Sequence, residues 1–133
     1  MRKLFDNIKA VYTLDAEVYT TDTVATDYVD TVGYGDGMLL VAAGDITTTA
    51  TDVYTLTVKE CETTDGTYTT TGVTVTFTGL EDNTVKVARI AGLNTNRMRY
   101  LKADLTGSAT TNSWEGAAVI LLGEAASGPV NSD

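Results

Sequence analysis

Six consecutive apolar residues, Met38-Leu39-Leu40-Val41-Ala42-Ala43, constrain this chain more than any other feature. Six is strand length, and a helix needs a longer pattern with its own period. Successive side chains of a strand point to opposite faces, so a run with no polar position has two apolar faces. Such a strand is expected at the centre of a β-sheet, covered on both sides. Before it come the extended segment Val29-Asp30-Thr31-Val32 and the stretch Gly33-Tyr34-Gly35-Asp36-Gly37, whose glycines are free to take positive φ and predict a bend. Gly44-Asp45 predicts a turn after it. Ala117 to Leu122 is a second run apolar on both faces, and is the expected neighbour of Met38 to Ala43.

The rest of the chain reads as further strands. Thr makes up about one residue in five, and Thr and Val suit a pleated surface. Val18-Tyr19 predicts a short strand, and Val24 to Val32 an extended one. Val53 to Cys61 alternates cleanly, with Tyr54, Leu56 and Val58 on one face and Thr55, Thr57 and Lys59 on the other. Asp65-Gly66 is a hairpin signal. Val73, Val75 and Phe77 alternate with threonines, Thr84 to Ile90 follows, and Arg97 to Leu105 places Arg99, Leu101, Ala103 and Leu105 on one face. Polar loops are expected at 47–52 and 107–113, with the Thr-striped strands outside the two apolar ones. About eight strands with regularly spaced turn signals predict an all-β sandwich or jelly roll.

At 133 residues the chain is long enough for one core. Residues 1–15 stand apart as an N-terminal arm, and 16–133 form the sandwich with a short polar tail. Leu4, Phe5, Ile8, Val11 and Tyr12 fall at helical spacing beside Arg2, Lys3 and Lys9. That segment reads either as a frayed or packed terminus or as a cationic, apolar arm that orders on a partner. Asp6 and Asn7 interrupt any signal-peptide core, and no run reaches transmembrane length. A formal charge of −9 argues against nucleic acid and anionic membranes as partners, and favours solubility at high local concentration.

No catalytic constellation can be assembled from these residues. The chain has no His, which removes His-based triads and the usual zinc sites. The glycines of 33–37 lack a following Lys and lead into a strand, so they do not make a phosphate loop. Acidic residues lie in turns and on wet strand faces without the spacing of a calcium loop. No cofactor, metal or enzymatic activity is expected. Cys61 is the single cysteine and reads as a small buried hydrophobe. Trp114 and the seven tyrosines are expected to pack in the core and along edges, with stacking on sugars as the other use of such rings.

The order of motifs resembles the small decoration, or cement, proteins of tailed-bacteriophage capsids. The residues carrying this are Val29-Asp30-Thr31, Gly33-Tyr34, Met38 to Ala43, Tyr54-Thr55-Leu56-Thr57-Val58-Lys59, Asp65-Gly66, Arg99-Tyr100-Leu101-Lys102, Ala117 to Gly123 and Gly128-Pro129-Val130. They span roughly residues 24–130. The loop Gly92 to Asn96 departs from the family by lacking a Gly-Tyr, and Gly123-Glu124-Ala125 by lacking a Pro-Arg. The resemblance implies a jelly-roll-like antiparallel sandwich that binds the outer capsid surface. It further implies a homotrimer clamping neighbouring major capsid subunits, made in the host cytoplasm and located in the virion. The expected contacts with shell or sister subunits are Arg2, Lys3, Leu4, Phe5, Ile8, Val11 and Tyr12 of the arm, and Arg97, Arg99 and Lys102. A tail or head-fibre module and a carbohydrate-binding sandwich are the alternatives.

Overall fold

The computed structural model describes residues 8–25, 27–47, 53–107 and 113–125. They form β1 (Lys9–Tyr19), β2 (Val29–Asp30), β3 (Tyr34–Thr47), β4 (Val53–Cys61), β5 (Thr69–Thr78), β6 (Val85–Ile90), β7 (Tyr100–Gly107) and β8 (Ser113–Ala125). Two four-stranded sheets have the orders β1-β8-β3-β6 and β2-β7-β4-β5, and every strand pair is antiparallel. Consecutive strands change sheet everywhere except between β4 and β5, which is jelly-roll topology. The sandwich expected from the strand count is therefore the observed architecture.

The two doubly apolar runs pair as their composition predicts. β3 and β8 are the inner strands of the first sheet, with Leu39 opposite Ile120 and Val41 opposite Ala118. The core lies between these residues and Leu56, Val58, Leu101, Ala103 and Leu105 of the second sheet, all buried. Trp114 fills one end, its ring 5.9 Å from Phe77 and 6.2 Å from Tyr19. Gly116 makes room for it, since a Cβ there would stand 2.5 Å from the indole and from the Ala42 carbonyl oxygen.

Several expectations change. Lys9–Tyr19 is one continuous strand, so the helical spacing of Ile8, Val11 and Tyr12 does not become a helix. The boundary at 15/16 falls inside β1, and residues 9–15 belong to the sandwich because β8 supplies a ladder for their backbone. Of the three glycines in 33–37, only Gly33 takes positive φ, at 87°; Gly35 and Gly37 lie within β3. Gly44-Asp45 does not turn the chain. β3 runs through it to Thr47, absorbing an irregularity between Ala43 and Ile46 opposite β8. Thr-striped β5 is an edge strand, but β4, which carries Thr55 and Thr57, lies between β7 and β5. Arg97 to Arg99 precede β7 rather than open it. The loops expected at 47–52 and 107–113, and the tail Gly128-Pro129-Val130, lie largely or wholly outside the described residues.

β2 is two residues long, so most of the β7 edge must find partners elsewhere. Side chains supply them. Thr13, buried on β1, accepts the Ala103 amide through Oγ1 at 3.0 Å and donates to the Asp27 carbonyl at 3.0 Å. Thr23 and Leu105 exchange backbone bonds of 2.8 and 2.9 Å. Asp104 Oδ1 accepts the Ala25 amide at 2.8 Å, while Lys59 pairs with its other oxygen at 3.0 Å. At the far end of β2, Asp30 receives a two-pronged bond from Arg99, at 2.9 and 2.8 Å. Thr31 donates its hydroxyl to the Arg99 carbonyl at 2.6 Å, and Asn94 holds the Thr31 carbonyl at 2.6 Å.

These ties generate two predictions. Thr13→Val keeps shape but leaves the buried Ala103 amide without its partner and removes the half-buried bond to the Asp27 carbonyl, and should cost about 1–3 kcal/mol. Urea denaturation will show it as a lower midpoint at unchanged slope, and Thr13→Ser should recover most of the loss. The hydrogen bonds from Arg99 hold the Asp30 carboxyl below its ordinary range, against the opposing effect of burial. Asp30 is then more acidic folded than unfolded. Its contribution is complete above the unfolded carboxylate pKa of about 4 and is lost as pH falls through the lower, folded value. Both side chains are more than a third exposed, so the loss in Asp30→Asn should be at most about 1 kcal/mol at pH 7. The gap between the denaturation midpoints of wild type and variant should close as pH falls below the ordinary carboxylate range.

Candidate functional site

The inner sides of β3 and β8 fill the core, which leaves their other apolar faces outward. Across the first sheet these faces line up in rows. Tyr12, Val119, Leu40 and Val87 are successive cross-strand partners from β1 to β6. Ala10, Leu121, Met38 and Arg89 form the row on one side, and Ala117, Ala42 and Val85 the row on the other. Arg89 is the one charged residue in the three rows. The β3 and β8 members are half-buried by their neighbours, whereas Tyr12 and Val87 on the outer strands are 55% and 56% exposed. With strands about 4.8 Å apart and same-face residues nearly 7 Å apart, the apolar area is on the order of 300–400 Å². Exposed apolar patches of this size on a monomer are often functional.

A hollow lies at each end of this face. The smaller, of about 200 Å³, is walled by Ile8, Met38, Leu121 and the ion pair of Arg89 with Asp36, whose closest atoms are 3.3 Å apart. The larger, of about 450 Å³, has a floor of Ala16, Ala42, Gly116 and Ala117, with Glu17 and Glu115 at its sides. Both glutamates are exposed, and among the described residues neither has an ion-pair partner. This end therefore combines small apolar contacts with negative charge.

The outer face of the second sheet is different in kind. Tyr28 and Tyr100 meet edge to face at 5.4 Å, the Arg99 guanidinium stands 5.0 Å from the Tyr100 ring, and Lys102 Nζ lies 4.5 Å from the centre of Tyr68. Burial, followed by nearby Cys61, Tyr28 and Tyr100, raises the Tyr68 phenol above its usual pKa, and its hydroxyl donates to the Thr64 carbonyl at 3.2 Å. Cys61 is buried beside it, its sulfur 3.8 Å from the Thr63 hydroxyl.

The residues singled out as contacts divide between these surfaces. Arg2, Lys3, Leu4 and Phe5 lie outside the described residues. Ile8 lines the smaller hollow, Tyr12 stands on the apolar face, and Val11 turns inward to pack against the core. Arg97 is drawn to the half-buried side of the sandwich by Glu60, at 3.4 Å. Arg99 is held by Asp30, and Lys102 lies over Tyr68. The two groups thus sit on different sheets and do not form one site. Leu40, Val87 and Val119 were not among the expected contacts, although the unbroken apolar runs that hold Leu40 and Val119 carried the signal for those two. Those runs were read as strands covered on both sides, but among the described residues nothing covers the outer one.

No family model matches the chain, and no curated protein does. Among solved structures, a Clostridium thermocellum endo-1,4-β-D-xylanase 10B, determined as its CBM22-1 and GH10 modules with xylohexaose, aligns with a TM-score of 0.50 at 13% identity. The match covers 97% of this chain and 28% of the xylanase chain. At that identity the likeness concerns the β-sandwich fold.

Proposed function

We propose that this chain is a non-catalytic structural protein of a virion, a decoration protein that docks on the outer surface of a phage capsid and clamps neighbouring major capsid subunits. The motif order described above motivates the family. The observation that carries the docking is the apolar outer face of β1-β8-β3-β6 on a chain of charge −9. Displacing water from such a face is favourable by roughly 25 cal/mol per Å² of apolar area, before ordering and docking costs. The surrounding acidity keeps unattached copies apart. A homotrimer would present three such faces at once, and linked weak contacts hold far more firmly than one.

The arrangement of Tyr28, Tyr68 and Tyr100 beside Lys102 favours a second reading, a carbohydrate-binding sandwich. The exposed Tyr28 ring and the half-buried rings of Tyr68 and Tyr100 offer flat apolar surface to a sugar, with nearby polar groups for its hydroxyls.

Purified protein mixed with undecorated shells of the source virus separates these readings. The full chain should co-sediment with shells at a fixed ratio per capsid subunit. Val87→Glu and Tyr12→Glu, both at exposed positions, should lower apparent affinity at least tenfold while leaving thermal stability nearly unchanged. Retained binding by both variants would remove the apolar face from the interface. No binding by the unaltered chain would overturn the capsid reading. Glycan-array signal abolished by Tyr28→Ala would then support the second reading.

A further inference from the structure

Lys102 stands where packing within the sandwich gives no reason for a cation. On the outer face of the second sheet it lies directly across from Lys59, and like charges in that relation repel. Lys59 is neutralised by Asp104 at 3.0 Å, and the other oxygen of that carboxylate accepts the Ala25 amide at 2.8 Å. Arg97 and Arg99 have carboxylates of their own, Glu60 and Asp30. Asp65, in the neighbouring turn, is close enough to Tyr68 to help raise its phenol but makes no ion pair with Lys102. Among the described residues Lys102 has no ion-pair partner at all, on a chain of charge −9. Its ammonium lies instead 4.5 Å from the centre of the Tyr68 ring. An unneutralised cation opposite a second cation is a local cost that a bound anion removes.

Three tyrosines converge on this ammonium. Tyr100 and Lys102 are two residues apart on β7, so they share its outer face nearly 7 Å apart. Tyr28 meets Tyr100 edge to face at 5.4 Å, and the Arg99 guanidinium, fixed by Asp30, stands 5.0 Å from the same ring. Tyr100 is thereby held by its neighbours, while Tyr28, 46% exposed, keeps ring surface open to solvent. The Tyr28 and Tyr100 phenols lie near that of Tyr68. Tyr68 spends its proton on the Thr64 carbonyl and keeps its oxygen as an acceptor. This corner therefore sets an aromatic platform, phenol hydroxyls and one unpaired ammonium side by side.

The combination matches one ligand class. A pyranose offers a flat C–H side to an aromatic ring and hydroxyls around its rim. In a uronic or sialic acid it also carries a carboxylate one bond outside the ring, which suits a cation standing just beyond the stacking platform. Nucleic acid, the other anion that stacks, needs a track of basic groups along its backbone, and here the cations beside Lys102 are already paired. We infer that this corner of the second sheet binds a carboxylate-bearing sugar, with the Tyr28 ring as platform, Lys102 on the carboxylate and the Tyr68 and Tyr100 phenols on its hydroxyls. The inference names the ligand class of the carbohydrate-binding reading above and rests on it. It uses the sheet opposite the apolar face, so a chain docked by that face keeps this corner open.

A glycan array carrying uronic-acid and sialic-acid oligosaccharides beside their carboxyl-reduced counterparts, probed with the full chain, tests this. The signal should be at least tenfold stronger on the acidic members. Lys102→Gln should abolish that preference with a thermal midpoint no lower than that of the wild type, since it also removes the repulsion from Lys59. Arg89→Gln, the same change of charge on the other sheet, should keep the preference. Tyr28→Ala should abolish binding to acidic and reduced members alike, and unchanged binding overturns the platform. Equal signals on acidic and reduced members, a preference retained in Lys102→Gln, or one lost equally in Arg89→Gln overturns the inference while the carbohydrate-binding reading stands. No signal on any sugar overturns both. A single-stranded oligonucleotide on the same array should stay dark, and a signal there exceeding that of the acidic sugars overturns the sugar as the occupant.

Discussion

An antiparallel sheet in a two-layer sandwich has one side against the core and one side open, whereas β3 and β8 are apolar on both. The rest of the molecule depends on how that excess is arranged. Pairing the two strands at the middle of one sheet places Leu39, Val41, Ala118 and Ile120 in the core with no exposed area. The same register turns Leu40 and Val119 outward together, because side chains alternate with a period of two. A slip by one residue would exchange the two sets. Both sets are apolar, so the alternation alone distinguishes them weakly. Bulk decides it better, since Trp114 can lie under β8 only where Gly116 leaves space.

The second sheet is built under the opposite constraint. Its outer side carries Thr55, Thr57, Lys59 and Lys102, and its edge is closed by polar side chains instead of a long strand. Thr13 reaches from β1 to the Ala103 amide and thereby joins the sheets through a hydrogen bond as well as through packing. Asp30, Thr31 and Asn94 do the same for the turn into β3, fixing Arg99 by its side chain and its carbonyl. Asp30-Thr31 and Arg99-Tyr100, far apart in the chain, therefore form one clamp. Such a pair of short motifs has a structural reason to occur together on this fold.

Much of this was legible in residue patterns. Val53 to Cys61 announced its two faces through strict alternation, and the β3–β8 pairing followed from two runs of matching length and character. Local signals failed where tertiary pairing overrode them. The spacing of Ile8, Val11 and Tyr12 suits a helix, but β8 pairs with the backbone from Lys9 onward, Val11 and Tyr12 included. Gly44-Asp45 has turn chemistry, yet it lies opposite β8 and is absorbed as an irregularity in β3. β2 shrank to two residues because side chains of Thr13, Asp22 and Asp104 took the bonds a longer strand would have made. The candidate face was hidden for another reason. Its residues come from β1, β3, β6 and β8, and only the register shows that Tyr12, Leu40, Val87 and Val119 share a row.

The edge strand β6 bears on two explanations of the apolar outer face. If the face were only a by-product of the core strands, its border would revert to polar residues once hydrophobicity stopped serving the core. β6 borders the face and satisfies the core through Ala88 and Ile90. Two of its three outward positions are nevertheless Val85 and Val87, the third being Arg89, while Lys86 turns back to donate to the Thr76 carbonyl at 2.7 Å and lies 5.1 Å from the Phe77 ring. On the opposite border, β1 places Tyr12 outward. Apolar character thus extends to both edges of the sheet, past the strands whose inner sides require it. Packing within the sandwich does not require that extension, whereas the docking role proposed above would account for it.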